Sequence, residues 1–310
     1  FARAGVANPN GTSISMVGPT IMRVGTEEQK AEWLPKMTSG EVQCSLGYTE
    51  PGAGTDLAGL QTRAVQDGDE WVISGQKIYN GGAHVNTHNW LLARTDPDAP
   101  KHRGLSVFLV PLRTPGITLR PLYTMADGRT NETFMDEVRI PVKNMIGEKN
   151  RGWYHVAMAL DFERVSIGAT YIRLKGQFDR LIEYIKKTPY GGSTVNEVPW
   201  VRDRLAWVAM GLETVRLFSY RTAYLIGNGE VPNYEASAQK ILGSEMIQHV
   251  ADAATEVMGL HGLLKEGDTR AAIRGENERA YRQGIILRFG GGANEAQRDI
   301  IARRGLGLPR

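Results

Sequence analysis

The most informative stretch of the chain is Tyr48-Thr49-Glu50-Pro51-Gly52-Ala53-Gly54-Thr55-Asp56. It follows a run that alternates between apolar and polar residues, as in a strand with one buried face; the apolar positions are Val42, Cys44, Leu46 and Tyr48. Small residues in the loop let backbone N–H groups approach anionic oxygens closely, and the hydroxyl of Thr55 adds a donor. A strand that ends in such a loop favours an anion-binding site over a plain turn.

Two later segments belong with this loop. They read Ala159-Leu160-Asp161-Phe162-Glu163-Arg164 and Phe289-Gly290-Gly291-Gly292-Ala293-Asn294-Glu295-Ala296-Gln297-Arg298. Together the three segments resemble the acyl-CoA dehydrogenase family, in which the loop usually reads T-E-P-x-A-G-S-D. The second resembles the helix that carries the catalytic glutamate in one branch, and the third resembles the Y-E-G-T-x-E-I-Q-R segment that carries it in another. The two positions here are Glu163 and Gly291.

The resemblance implies a FAD enzyme that desaturates an acyl-CoA thioester between Cα and Cβ. The flavin takes a hydride, because no side chain can accept one, and Glu163 takes the α-proton. Taken alone, Glu163 beside Arg164 also fits an ordinary helix ion pair. By resemblance the cofactor is bound by Tyr48, Thr49, Gly54, Thr55, Tyr79 and Gly81, and the substrate by Thr55, Asp161, Arg164 and Gly291.

A second flavin motif reads Lys77-Ile78-Tyr79-Asn80-Gly81-Gly82-Ala83-His84. The family usually has Trp where Tyr79 stands, and Tyr79 keeps an aromatic face for the flavin ring. The family also has a Thr or Ser at the position of Gly81, which retains only its backbone N–H as a donor. We interpret this segment as a flavin site with altered tuning, and His84 as a surface or hydrogen-bonding residue.

Composition excludes several classes of function. A net charge of +3 over 310 residues gives no case for a nucleic-acid partner. The single Cys44 rules out an internal disulfide and fits a cytoplasmic location. No apolar run approaches the ~18 residues of a membrane span, and we expect no membrane span. The six histidines lack metal-binding spacing, so we expect no metal.

The chain changes character twice, from helical to strand-like and back to helical patterns, which predicts an α+β multi-domain protein. This order resembles the acyl-CoA dehydrogenase fold, which the chain is therefore expected to adopt. Compared with the family, the sequence is expected to begin at Phe1 partway through the N-terminal helical domain, so residues 1–40 are expected to be a remnant of a domain that is largely missing. Residues 41–150 are predicted to form a middle antiparallel β domain with the flavin and thioester loop. Residues 151–310 are predicted to form a C-terminal helical bundle.

Local signals predict individual elements. Thr26 is a predicted helix N-cap, and Ser39-Gly40 ends that helix. Asp67-Gly68 predicts a hairpin, and Ser74-Gly75 predicts a turn into the next strand. Further strands are predicted over 105–110 and 133–140, and a helix is predicted from Tyr234 to Met258. A helix with one buried face is predicted from the spacing of Val201, Leu205, Val208, Leu212 and Val215.

The resemblance implies that electrons pass to an electron-transfer flavoprotein and that the chain forms a tetramer. In homotetrameric members each FAD also contacts a neighbour's R-x-x-F loop and Q-x-x-G-G segment. Here those regions read Lys186-Lys187-Thr188-Pro189-Tyr190-Gly191-Gly192 and Glu256-Val257-Met258-Gly259-Leu260-His261-Gly262. Because the arginine and glutamine are absent, we expect an α₂β₂ assembly with a homologous subunit, the alternative being a homotetramer that uses other residues.

The substrate and the class of chemistry have alternatives. The Phe289 segment and the final Gly305–Arg310 look most like subunits that dehydrogenate steroid side-chain CoA thioesters in actinobacteria. A non-catalytic or partner-dependent subunit is a second interpretation, against which Glu163 argues. A flavin oxidase or monooxygenase on the same fold is a third.

Overall fold

The computed structural model of the chain describes residues 10–166, 169–230 and 232–309, with the side chains of residues 161–166 and 169 excepted. The chain divides into two compact units, one within residues 8–163 and the other from Arg164 onward. The domain bounds given by the sequence analysis stay a prediction. Within the described residues, none of the helices combines the length and apolar character that crossing a bilayer requires.

Two short helices precede the sheet: α1, Gly18–Val24, and α2, Glu27–Thr38. The predicted start of α2 is confirmed, because Thr26 forms a capping box with Gln29. The Gln29 N–H donates to Thr26 Oγ1 at 3.2 Å, and the Thr26 N–H donates to Gln29 Oε1 at 3.1 Å. The Gln29 amide also donates to the carbonyl oxygens of Lys143 and Met145, which fastens α2 to the sheet of the same unit.

The first unit contains a mixed sheet. Its strands are β1 Cys44–Gly47, β2 Arg63–Asp67, β3 Glu70–Lys77, β4 His88–Arg94, β5 Leu105–Pro111, β6 Ile117–Tyr123, β7 Arg129–Pro141 and β8 Met145–Ile146. The order is β6-β7-β3-β2-β4-β5-β8, and β1 pairs with β4. Most pairs are antiparallel as expected, but β1 and β2 each run parallel to β4, which the sequence analysis did not predict. Parallel pairing is possible because long connections, not hairpins, separate these strands.

The hairpin predicted at Asp67-Gly68 is confirmed, since Asp67 pairs with Glu70. The turn predicted at Ser74-Gly75 is wrong, because β3 continues through both residues. The register with β7 shifts between Ile73 and Gly75, which marks a bulge. A Cβ on Gly75 would lie 2.6 Å from Thr62 Oγ1, so the close approach of the residue that precedes β2 explains this glycine.

Both faces of the central strands are buried. One face of β4 and β5 packs on the helices through Trp90, Leu92, Val107 and Leu109. The other face forms a second cluster that includes Leu91, Ala93, Phe108 and Val110. Near-continuous apolar runs are the expected sequence of strands that are covered on both sides. This buried centre supports β1, which pairs with β4 and leads into the loop that begins at Tyr48.

The remaining chain is mainly helical. Its elements are α3 Gly152–Ser166, α4 Ala169–Lys187, β9 Pro189–Tyr190, β10 Ser193–Thr194, α5 Pro199–Gly227, α6 Tyr234–Met258, α7 Glu276–Gly284 and α8 Asn294–Ile300. The predicted bounds of α6 are confirmed. The predicted face of α5 is also confirmed, because all five of its apolar residues are buried. They pack with residues of α4 and α6 in one core.

Candidate active site

The loop after β1 is closed by a tight turn. The Glu50 N–H donates to the Ala53 carbonyl at 3.0 Å, and the Ala53 N–H returns a bond to the Glu50 carbonyl at 3.1 Å. Pro51 and Gly52 form the exposed tip between them. Proline fixes one backbone angle of this turn in advance, which suits a loop that must keep its shape.

A buried ion pair fixes the base of the loop. Lys77, at the end of β3, is 0% exposed, and its Nζ lies 2.8 Å from Glu50 Oε1, whose side chain is 7% exposed. The same ammonium donates to the Tyr48 carbonyl at 3.1 Å. Glu50 also accepts the backbone N–H groups of Gln61 at 2.6 Å and Thr62 at 2.8 Å. One side-chain pair thus joins the loop after β1, the residues just before β2 and the end of β3.

Both members of the pair are charged at neutral pH. Burial alone would raise the pKa of Glu50, but the Lys77 ammonium and the hydrogen bonds from Lys77, Thr62 and Gln61 outweigh it, so the pKa is lowered. Burial lowers the pKa of Lys77 to about 8, although the attraction of Glu50 opposes the shift. This pair was not predicted from the sequence, in which its only signal is a lysine at the end of an apolar strand.

The outer rim of the loop is open. Gly52, Gly54 and Thr55 are exposed. A Cβ on Gly52 would meet no atom within 4 Å, and one on Gly54 would meet only the Thr49 methyl at 4.0 Å. Neither glycine has a positive φ. The unit itself does not require these glycines, so their small size is consistent with close approach of a ligand.

The second predicted motif lies beside the loop, because the Ile78 N–H donates to the Thr49 carbonyl at 2.9 Å. Tyr79 is 65% exposed and has a φ of +61°, which is rare for a residue other than glycine. The Gly81 N–H donates to the Tyr79 carbonyl at 2.8 Å. The donor that the sequence analysis left to the flavin is therefore used within the segment. A Cβ on Gly81 would meet nothing within 4 Å.

Tyr48 contributes differently from its exposed neighbours. Its side chain is buried in the core beneath the sheet, and its carbonyl accepts the Lys77 ammonium. Thr49 is half-buried. Within this unit the fold brings together Tyr48, Thr49, Gly54, Thr55, Tyr79 and Gly81, as the resemblance implied. Their roles toward a ligand stay predictions.

The side chains of Asp161, Glu163 and Arg164 lie outside the described residues, although their backbone belongs to α3. Gly291 is in the second unit and has a φ of +70°. This is the left-handed region, in which a glutamate would be strained. The backbone at position 291 therefore suits the glycine that the sequence carries.

A buried polar cluster holds the loop that contains Gly291. Lys240 on α6 donates to Asn294 Oδ1 at 2.7 Å and to the Arg288 carbonyl at 3.1 Å. The Asn294 amide donates to Ser244 Oγ at 3.0 Å. These bonds tie both ends of the glycine-rich segment to α6.

The part of the chain that the structure describes contains no group of three or more His, Cys, Asp or Glu side chains placed to hold a metal. The first unit does fit a flavin nucleotide. Exposed small residues around Gly54 leave room for a phosphate group, and the exposed ring of Tyr79 offers an aromatic face beside them.

Three family profiles match consecutive parts of the chain. They describe the N-terminal domain of acyl-CoA dehydrogenase over residues 1–41, its middle domain over 45–138 and its C-terminal domain over 150–306. This sequence of domains confirms the predicted architecture of N-terminal helices, a middle β domain and C-terminal helices.

Curated relatives and solved structures agree with the profiles. Acyl-CoA dehydrogenase FadE26 of Mycobacterium tuberculosis is 40% identical over 306 residues, covering 96% of this chain and 76% of the relative. The solved Tcur3481-Tcur3483 steroid ACAD has a TM-score of 0.94 at 40% identity and covers 99% of this chain and 79% of that chain. The ChsE4-ChsE5 complex from Mycobacterium tuberculosis has a TM-score of 0.93 at 40% identity and covers 100% of this chain and 80% of that chain.

Proposed function

Because the chain belongs to the acyl-CoA dehydrogenase family, we propose that it takes a proton from Cα and a hydride from Cβ of an acyl-CoA thioester, with Glu163 as the base. The family consists of FAD-dependent oxidoreductases that act on CH–CH groups, and the chain is an enzyme of this class. The observation that carries the proposal is the pair of exposed glycines in the loop around Gly54, because neither is required by the packing of its own unit.

Each predicted residue has a distinct task. Glu163 accepts the α-proton on a carboxylate oxygen, and exclusion of water by the acyl chain makes it a stronger base. Asp161 and Arg164 organise the base and the CoA end of the pocket. The Gly54 backbone and the Thr55 hydroxyl donate to anionic oxygens of cofactor and substrate, while Thr49 and Tyr79 flank the ring. When bound, FAD accepts the hydride.

Position 291 supports Glu163 as the base. The other branch of the family carries its glutamate there, and this chain has a glycine in the left-handed region. A glutamate at this position would need the loop to change its backbone conformation. Gly291 is instead proposed to leave room for the acyl group.

The test of the base is Glu163→Gln, which keeps shape and hydrogen bonding but removes basicity. FAD should stay bound, while the rate of flavin reduction by substrate falls by ~10²–10⁴-fold. The matched control is Glu183→Gln, which removes an exposed carboxylate paired with Lys187 at 3.4 Å on the next helix. Equal bleaching rates in both variants would remove Glu163 from the mechanism.

The test of the loop is Gly54→Val, compared with Gly227→Val. A Cβ at Gly227 would meet no atom within 4 Å, one at Gly54 would meet only the Thr49 methyl at 4.0 Å, and neither glycine has a positive φ. Both apoproteins should therefore fold, but only Gly54→Val should purify with substoichiometric FAD. Full FAD occupancy in Gly54→Val would show that the loop does not bind the cofactor.

We also propose that the chain works in an α₂β₂ assembly with a homologous subunit. In the segment that a homotetramer would lend to its neighbour, the carboxylate of Glu256 already pairs with Arg204, at 2.7 Å. Leu260, at the position of a family glycine, is 81% exposed. These features support the interpretation that the chain has lost the residues with which a homotetramer would contact the FAD of its neighbour. Two solved relatives, Tcur3481-Tcur3483 and ChsE4-ChsE5, are each named as a pair of chains, which supports the same interpretation.

The exposed side of α5 supports an assembly. This helix buries one apolar face and carries a second in solvent, at near-heptad spacing: Trp207, Met210, Leu217 and Tyr224. A helix with two apolar faces needs a second partner for the outer one. Expression of the full-length protein alone, followed by measurement of mass and flavin content, tests the assembly. A stable, active homotetramer with one FAD per chain would contradict it.

The proposed substrate is a steroid side-chain CoA thioester, and the proposed acceptor is an electron-transfer flavoprotein. The Tcur3481-Tcur3483 relative is named a steroid ACAD, which supports the substrate class. Profiling kcat/KM over short, branched, long and steroid acyl-CoAs tests it, and a preference for short chains would contradict it. Rapid oxygen consumption by the reduced enzyme would favour an oxidase instead.

A further inference from the structure

Tyr79 has an unusual backbone conformation that its own side chain does not explain. Its φ of +61° is costly for any residue with a Cβ. Glycine adopts this conformation without strain, yet the segment has its glycines at Gly81 and Gly82 and a tyrosine at position 79. The ring is 65% exposed, so packing within the unit does not hold it. The cause of the conformation must therefore lie in the backbone on either side.

Asn80 supplies that constraint. It is 0% exposed, and every polar group it has is bonded. Its amide nitrogen donates to the Leu46 carbonyl, and its Oδ1 accepts the Thr133 hydroxyl at 3.2 Å. Its backbone N–H donates to the Asn131 carbonyl at 3.0 Å. Its carbonyl accepts the Asn131 amide at 2.9 Å.

Asn131 secures the other side of this contact. It is also 0% exposed, and its Oδ1 accepts Arg129 Nε at 2.9 Å. On the preceding side of Tyr79, the Ile78 N–H is bonded to Thr49. Tyr79 is thus the single residue between two fixed points, one on the predicted flavin loop and one on β7. A buried, fully bonded pair of asparagines can sustain strain at the residue beside it.

We propose that Asn80, supported by Asn131, is a positioning residue that holds Tyr79 in the left-handed conformation and so presents its ring to the flavin. Asn80 acts through Tyr79 and does not contact the cofactor. The inference rests on the proposed place of the flavin beside Thr49 and Tyr79. It explains why a buried amide stands next to an exposed aromatic residue in this segment.

The experiment measures the fluorescence of bound FAD and its dissociation constant in purified holoprotein. Tyr79→Leu removes the quenching ring, and severalfold brighter flavin fluorescence is expected. Asn80→Ala should reproduce most of that increase, and the double variant should add little to it. The control is Asn144→Ala, because Asn144 is a buried asparagine of the same unit whose amide donates to Leu109 at 2.8 Å. It should lower the melting temperature and leave fluorescence unchanged.

A measurement on apoprotein tests the strain directly. Tyr79→Gly should raise the melting temperature of the otherwise wild-type chain, because glycine adopts a positive φ without strain. In the Asn80→Ala background the same change should have a smaller effect, since Tyr79 is then free to relax. If Asn80→Ala does not fold, Thr133→Val, which removes only the bond to Asn80 Oδ1, should shift both readouts in the same direction.

The outcomes distinguish the proposed place of the flavin from the positioning role of Asn80. Unchanged fluorescence in Tyr79→Leu would refute the proposed place of the flavin, and with it this inference. Brighter fluorescence in Tyr79→Leu, with Asn80→Ala and Thr133→Val like the Asn144→Ala control, would overturn the positioning role alone. Full additivity in the double variant would do the same.

Discussion

Removal of the Lys77 ammonium is expected to be among the most destabilising single changes in the first unit. Lys77→Met keeps most of the volume but leaves the buried Glu50 carboxylate with only the N–H groups of Gln61 and Thr62. Breaking a buried pair from one side costs about 3–5 kcal/mol in the free energy of unfolding. Lys77 is 0% exposed, so solvent screening does not reduce this figure.

The assay is urea and thermal unfolding of the apoprotein, with FAD affinity measured in parallel. For a chain of this size ~4 kcal/mol corresponds to a drop of roughly 10 °C in the melting temperature. The matched control is Lys101→Met, because Lys101 pairs with Asp56 of the same loop at 2.9 Å with both side chains more than half exposed. That exposed pair should contribute about 0–1 kcal/mol.

A double variant isolates the cause. Glu50→Gln combined with Lys77→Met removes the unpaired charge, so it should recover a large part of the loss. FAD affinity should fall in Lys77→Met, because the Tyr48 carbonyl and the loop lose their shared anchor. An equal loss of stability in Lys77→Met and Lys101→Met, or simple additivity in the double variant, would refute a stabilising role for the buried pair.

Three further outcomes follow from the same contacts. Gly81→Ser should leave the apoprotein within about 0.5 kcal/mol of wild type, because its Cβ has open space, and should raise FAD affinity; a lower melting temperature would contradict this. The pKa of Glu50 is lowered from 4.5, so its contribution to stability is complete above pH 4.5 and is lost as pH falls through its folded pKa. The free energy of unfolding should therefore fall less steeply with decreasing pH in Glu50→Gln than in wild type, and an equal slope in both would contradict this. Asn294→Ala removes the amide that Lys240 and Ser244 share and should lower the free energy of unfolding in urea by about 1–3 kcal/mol. Unchanged stability would contradict a stabilising role for these buried hydrogen bonds.

Elements that depend on neighbouring residues could be predicted from the sequence. The capping box at Thr26 and the hairpin at Asp67-Gly68 each span four residues. The buried face of α5 follows from helical spacing alone. The loop after β1 was predicted as a binding loop because its residue types and its place after a strand are local facts. The resemblance to a family supplied the cofactor and the candidate base.

Elements that depend on distant residues were missed. The bulge at Gly75 arises because Thr62 lies against it, and no turn signal distinguishes that contact from a turn. The parallel pairing joins β1 to β4, although β2 and β3 lie between them in the sequence. Its geometry depends on how the long connections are routed, which residue spacing does not encode.

The sequence by itself determined the class of protein, the helix and hairpin signals and the identity of the loop residues, because short-range periodicity and residue chemistry carry that information. Only the tertiary structure decided what supports the loop. Glu50 meets Lys77 across 27 positions of chain, and Asn80 meets Asn131 across 51. Such pairs form only in the folded unit, which places the loop after β1 against the end of β3 and the segment after β3 against β7, because a buried charge or amide is stable only where the fold brings its partner to it.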